Sequence, residues 1–114
     1  MHALKWSATE KKIARRAYQA ALERALAAIM AEFKAKAAKA TTPSDMWDIE
    51  DYLRRLRVEF DEMFDYRYSR LPFVFACLIR DGHLDEASLT GLSEEKLSII
   101  RNLRSLNVSD GRRP

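Results

Sequence analysis

The stretch DMWDIED, residues 45–51, holds the densest set of groups that could do chemistry. Clustered carboxylates can hold a metal ion or share acid/base work, provided their oxygens converge. Asp48, Glu50 and Asp51 do not meet that condition, because on a helix they project at successive steps of about 100°. Near a helix N-terminus they have a plainer role, since the backbone dipole favours anions there. The remaining reactive residues are isolated. His2 is terminal and His83 falls in a turn, so no histidine pair has metal-ligand spacing. Cys77 lies inside FVFACLI and reads as a buried structural thiol rather than a nucleophile. No glycine-rich loop is present to cradle a phosphate. These residues predict a protein that is not an enzyme and has no metal site.

A nucleic-acid reading meets its own obstacle. LDEASLTGLSEEKLSIIRNLRSL has the outline of helix, glycine turn and helix. The second of these helices opens Ser-Glu-Glu, and two carboxylates facing phosphate are unfavourable. The segment is expected to be a helical hairpin that closes a core, and no nucleic-acid partner is expected.

Trp47 is the unusual residue of the acidic stretch. It falls in the first turn of an evident helix, away from that helix's apolar seam. Asp51 lies about 40° from it around the helix, and Arg54 and Val58 continue the same strip. An aromatic, a carboxylate, a guanidinium and an aliphatic side chain on one face make an interface composition. Equally, Trp47 could staple the hinge that follows Pro43, and the spacing does not choose between the two.

The elements that carry these residues are all helical. With only 3 Gly and 3 Pro in 114 residues, little interrupts helix, and the length suits one domain. SATEKKIARRAYQAALERALAAIMAEFKAKAAKA reads as one helix over about 8–39, opened by the Ser-x-x-Glu capping box of Ser7 and Glu10. Its apolar stripe runs through Ile13, Ala17, Ala21, Leu22, Leu26, Ile29, Met30 and Phe33. Such a helix is about 48 Å long at about 1.5 Å per residue, whereas a compact domain of this size has a radius of gyration of about 13 Å. The exposed stripe predicts a dimer. Pro43 is expected to break the chain, with Ser44 capping a second helix from near Asp45 to about Tyr66. Ile49, Leu53, Leu56, Phe60 and Met63 are spaced 4, 3, 4, 3 along it, a narrow pairing seam. Residues 1–40 carry nine Lys/Arg against three Asp/Glu, and residues 41–68 carry four against eight. The two helices therefore suit each other electrostatically, within a chain or between chains.

The remainder predicts a small helical head. SRLPFVFACLI is a buried helix with Pro72 in its first turn and Gly82 just past its end. LDEASL is a short helix, and SEEKLSIIRNLRSL another, capped by Ser93. The expected organisation is a single all-α domain over 1–114, with a dimerisation region at 8–68, a head at 69–106 and a flexible tail at 107–114. One cysteine predicts a reducing, cytoplasmic setting. LPFVFACLI, the longest apolar run, is too short for an integral membrane segment, and the N-terminus does not read as a signal peptide.

The Trp-x-x-x-Asp with an Arg six residues on, followed by DYRYS, FVFA and GLSEEKL, resembles the fluorescence recovery protein family of cyanobacteria over residues 47–101. Trp6 and Ser7 fit its N-terminal Trp-Ser more loosely. The resemblance implies an all-helical homodimer whose two long helices form an antiparallel stem, with no cofactor of its own. It implies a partner, the orange carotenoid protein or a homologue of its C-terminal domain, which the family returns from the active red form to the resting orange form. It also implies that Trp47, Asp51 and Arg57 serve the dimer and partner interface and that Phe73, in the head, touches the partner. At position 50 this chain has Glu where the family typically has His. Glu50 and Arg54 join the expected interface, and Leu53, Leu56 and Phe60 the dimer seam. Asp51 and Arg57 are about 120° from facing each other on one helix, so a role for them together runs between subunits. Homologues occur in bacteria without phycobilisomes, so the second reading is a helical adaptor or chaperone-like protein with another client.

Overall fold

The structure, a computed structural model, describes residues 4–111. Every regular element among them is helical: α1 (Ala8–Lys39), α2 (Pro43–Met63), α3 (Leu71–Arg80), a 3-10 turn (Glu86–Leu89) and α4 (Glu94–Gly111). α1 starts as its capping box dictates. The Glu10 backbone N–H donates to Ser7 Oγ at 3.1 Å, and the Ser7 N–H donates to Glu10 Oε1 at 3.0 Å.

α2 begins earlier than the sequence predicts. Thr42, not Ser44, is its N-cap, and Pro43 is its first residue rather than a break before it. Proline suits that position because its fixed φ is helical and its missing N–H is not needed there. Asp45 completes the cap, accepting from the Thr41 N–H (2.9 Å) and the Thr42 N–H (3.2 Å). These two backbone donors hold its carboxyl below the usual aspartate range. α2 also ends earlier, at Met63 instead of near Tyr66. There the chain turns so that Phe64 and Tyr66 reach the Tyr18 ring, at 5.5 and 4.7 Å between centroids. Tyr68 stacks beside Tyr66 and against Trp6.

The core lies in the head. Leu71, Val74, Phe75 and Leu78 of α3 pack with Leu89 and Ile100, all fully buried, on the small residues Ala14, Ala17 and Ala21 of α1. Alanines on α1 let the head approach its backbone closely. At Gly91 (φ +109°) the head lies against the Ile13 side chain, whose Cδ1 an added Cβ would meet at 2.5 Å. Gly82 (φ +84°) closes α3, and the His83 N–H returns to the Leu78 carbonyl at 2.9 Å. Ser93 caps α4, its Oγ accepting from the Lys96 N–H at 3.2 Å. α4 then continues through Gly111. The backbone of 107–111 is thus helical where a tail is expected, since Asn-Val-Ser-Asp contains no stop signal; residues 112–114 lie outside the described residues.

The stem is built differently. From residue 26 to residue 70 no side chain is buried, although this span includes half of α1 and all of α2. The apolar stripe of α1 therefore divides. Its first half is covered by the head, while Leu26 and Met30 stay about half exposed. The radius of gyration is 16.7 Å and the extents are 53 × 28 × 22 Å, well beyond the compact value of about 13 Å.

Candidate functional site

Trp47 is 60% exposed, and Met46 next to it and Val58, about three turns further along α2, are also open. Arg54 pairs with Glu50 one turn away, and this partner raises its affinity for the proton. Asp51, Arg54 and Trp47 share the strip that helical spacing predicts. Asp51 forms no ion pair among the described residues. Arg57 pairs instead with Asp61, its i+4 neighbour, at 3.6 Å. Asp51 and Arg57 are thus not brought together within the chain. Both pairs are exposed and orient side chains more than they stabilise the fold.

The seam residues look the other way. Ile49, Leu53, Leu56, Phe60 and Met63 are each partly exposed, with none covered. At the hairpin tip, Ile49 and Met46 meet Phe33, Ala37 and Pro43 around an apolar hollow of about 520 Å³. Lys36 lies over the Tyr52 ring, 4.7 Å from its centroid, and helps fix the two helices.

Nearer the head, the seam opens into a larger groove of about 690 Å³. α1 supplies Ala25, Ala28 and Ile29 to its walls, α2 supplies Leu56, Phe60 and Met63, and α3 supplies Phe73 and Cys77. Two parts of the sequence expected to act separately, the seam and the head contact, therefore border one cavity. Leu53 is not part of its lining. Phe73 is 38% exposed, while its neighbours Pro72, Val74, Phe75 and Ala76 are buried. That split follows from the shape of α3: a short helix with apolar residues all round cannot bury every one against a single core.

Sequence reasoning misses two arrangements here. Arg70, just before α3, places its guanidinium 4.8 Å from the Phe73 ring centroid; the i, i+3 spacing is the local signal. Glu10 reaches beyond its own cap to α4, accepting from the Ser93 N–H at 2.8 Å and from Lys96 Nζ at 3.2 Å. No local signal announces that contact.

No group of three or more His, Cys, Asp or Glu side chains among the described residues is arranged to hold a metal ion. None of their helices is long and apolar enough to cross a membrane. What the surface offers is apolar area bordered by charge, suited to another protein. Residues 6–104 match the family described as photoprotection regulator fluorescence recovery protein. The chain belongs to that family. It is 35% identical over 101 residues to the fluorescence recovery protein of Synechocystis sp. strain PCC 6803, covering 89% of this chain and 93% of that one. Its fold matches the solved fluorescence recovery protein of Fremyella diplosiphon with a TM-score of 0.85 at 37% identity, over 89% of this chain and 99% of that one. The Synechocystis structure matches equally, with a TM-score of 0.85 at 34% identity over 90% and 100%. The family is regulatory, and the all-helical architecture is that of its solved members.

Proposed function

We propose that this protein is a cytoplasmic homodimer that binds the C-terminal domain of a photoactivated orange carotenoid protein. It speeds that sensor's return to the resting orange state and so relieves quenching of the light-harvesting antenna. The observation that carries the reading is the uncovered stem. A span from residue 26 to residue 70 with no buried side chain cannot draw its stability from its own packing, because isolated helices are marginal in water. A second copy laid antiparallel would cover the seam at Leu53, Leu56 and Phe60. It would also let the basic α1 of one subunit face the acidic α2 of the other. The strip at Trp47, Glu50, Asp51, Arg54 and Arg57 then serves the dimer edge and the partner, and Phe73 contacts the partner from the head. The dimerisation region is 8–68 and the head 69–106.

The test mixes purified protein with photoactivated orange carotenoid protein and follows the return of orange absorbance in the dark. Acceleration that saturates with added protein is the expected result. A recovery rate unchanged by the protein refutes the reading. One observation favours a second reading, an adaptor or chaperone-like protein with a different client. Glu50 stands where the family typically has His and ties Arg54 within its own helix. That pairing alters what the strip offers a partner. Activity restored by Glu50→His, in a protein inactive without it, would support this second reading.

A further inference from the structure

Phe73 is the large apolar side chain that α3 leaves in the open, at 38% exposure on the edge of the groove. One face of its ring is taken by the Arg70 guanidinium, 4.8 Å from the centroid. Arg70 is held only loosely from behind. Its Nε lies 3.5 Å from Asp65 Oδ2, yet it is shut off from solvent and makes no hydrogen bond. Asp65 is committed elsewhere. Arg67 Nε donates to Oδ1 at 2.9 Å and Arg67 Nη2 donates to Oδ2 at 2.5 Å. One carboxylate thus faces two guanidinium groups, so Arg70 shares its single acidic partner with Arg67. Glu32 of α1 and Glu59 and Glu62 of α2 also line the groove, as do Arg80 and Asp81, which pair with each other; none of these carboxylates forms an ion pair with Arg70 among the described residues. The Arg70 side chain is 41% exposed, so its free donors reach the groove's rim.

We infer that Arg70 is a specificity-determining residue of the Phe73 contact, and that the pair recognises an apolar side chain flanked by a carboxylate. The ring's free face and edge take the apolar group. The guanidinium, planar and rich in donors, takes the carboxylate in charge-assisted hydrogen bonds, of which it makes none among the described residues despite its ion pair with Asp65. This inference rests on the reading of Phe73 as the partner contact. It adds the chemistry that the partner's segment must present.

The experiment measures the affinity of photoactivated orange carotenoid protein for the parent, Arg70→Gln, Arg70→Lys and Phe73→Ala, at low and high salt. Arg70→Gln should weaken binding roughly fivefold at low salt, with the difference fading at high salt, as for a charge at an interface rim. Arg70→Lys keeps the charge and should recover most of the loss. The melting temperature and dimer constant of Arg70→Gln should match the parent. If Phe73→Ala weakens binding while Arg70→Gln does not, the inference fails and the Phe73 contact stands. If neither weakens it, or the parent does not bind, both fall together. A weakened dimer in Arg70→Gln would assign this surface to the second copy of the chain and also overturn the inference.

Discussion

Glu10 and Lys96 form an ion pair at 3.2 Å that is almost closed to solvent, with side-chain exposures of 11% and 4%. It joins the first turn of α1 to the first turn of α4. Lys96 also donates to the Lys5 carbonyl at 2.5 Å and lies 5.0 Å from the centre of the Trp6 ring. One carboxylate therefore caps α1, receives the Ser93 N–H ahead of α4 and neutralises a buried ammonium. Removing one partner from such a pair leaves the other charged and desolvated. Glu10→Gln should cost about 2–4 kcal/mol in denaturant unfolding. The double variant Glu10→Gln with Lys96→Met should recover at least about 1 kcal/mol of it.

The same pair gives the fold an acid dependence. The Ser7 N–H holds the Glu10 carboxyl below the ordinary glutamate range, outweighing the upward push of burial; the Ser93 N–H and Lys96 act in the same downward sense. A carboxyl whose folded value lies below its unfolded one adds stability above the unfolded value, about 4.3 for glutamate. That stability is lost as pH falls through the folded value. Melting temperature should accordingly change little through Glu10 between about pH 7 and pH 5 and decline below about pH 4. Glu10→Gln should shallow that decline without abolishing it, because Asp45 and Asp65 are also held below their usual range. An acid limb identical in the variant and the parent would refute the role given to Glu10.

How much of this is legible in the sequence depends on how far apart the interacting residues are. The Ser7–Glu10 box, the Gly82 stop and the Ser93 cap are local patterns, and each forms as its spacing predicts. Pro43 misleads because proline both stops a helix and suits the first position of the next; the cap at Thr42 lies in the residue before it. The end of α2 misleads for a different reason. Its periodicity continues past Met63, but Phe64 and Tyr66 gain more by joining Tyr18 in the head than by extending the helix. Steps of 100° suffice to place Trp47, Asp51 and Arg54 on one strip. They cannot bring Phe60 and Phe73 to one groove, which takes three helices meeting. Nor can they reveal the Glu10–Lys96 contact, whose partners are 86 residues apart.

Leu56→Glu tests the assembly. Leu56 is half buried within one chain and borders the groove. In the proposed dimer it is covered, so a carboxylate there would be desolvated without a partner. Sedimentation at micromolar concentration should show the parent as a dimer and the variant as a monomer. The variant's head should remain folded, because the buried side chains of its core come from the first half of α1, from α3 and α4, and from Leu84, Leu89 and Leu92 between them, and none from α2. A parent that sediments as a monomer throughout that range would remove the dimer.

Charge reversal tests which subunit Arg57 addresses. Among the described residues its ion pair is with Asp61, an exposed i, i+4 pair worth about 0.3–0.5 kcal/mol. Losing that pair alone would barely disturb assembly. If Arg57 faces Asp51 of the second copy, Arg57→Glu should weaken the dimer several-fold, and Asp51→Arg in the same chain should restore part of the loss. The coupling is read from dimer dissociation constants of the four proteins in the cycle. A double variant no better than the weaker single variant would place the Arg57 contact elsewhere.

Phe73 and Phe75 stand two residues apart on α3 and should respond in opposite ways. Phe75 is fully buried among Leu71, Leu78 and Ile100. Phe75→Ala should therefore destabilise the fold by about 3–5 kcal/mol through lost burial and the cavity left behind. Phe73 is 38% exposed and already spends part of its ring in water. Its loss removes the Arg70 contact, worth about 0.5–1 kcal/mol at an exposed site, and little core packing. Phe73→Ala should thus keep the melting temperature close to the parent's and leave the dimer intact. Its effect should appear in recovery of the photoactivated sensor, which it should slow. Unfolding curves and recovery traces on the same preparations separate the two roles. A Phe73→Ala protein as unstable as Phe75→Ala would make Phe73 a core residue. One that is stable and fully active would move the partner contact away from the head, to the Trp47 strip.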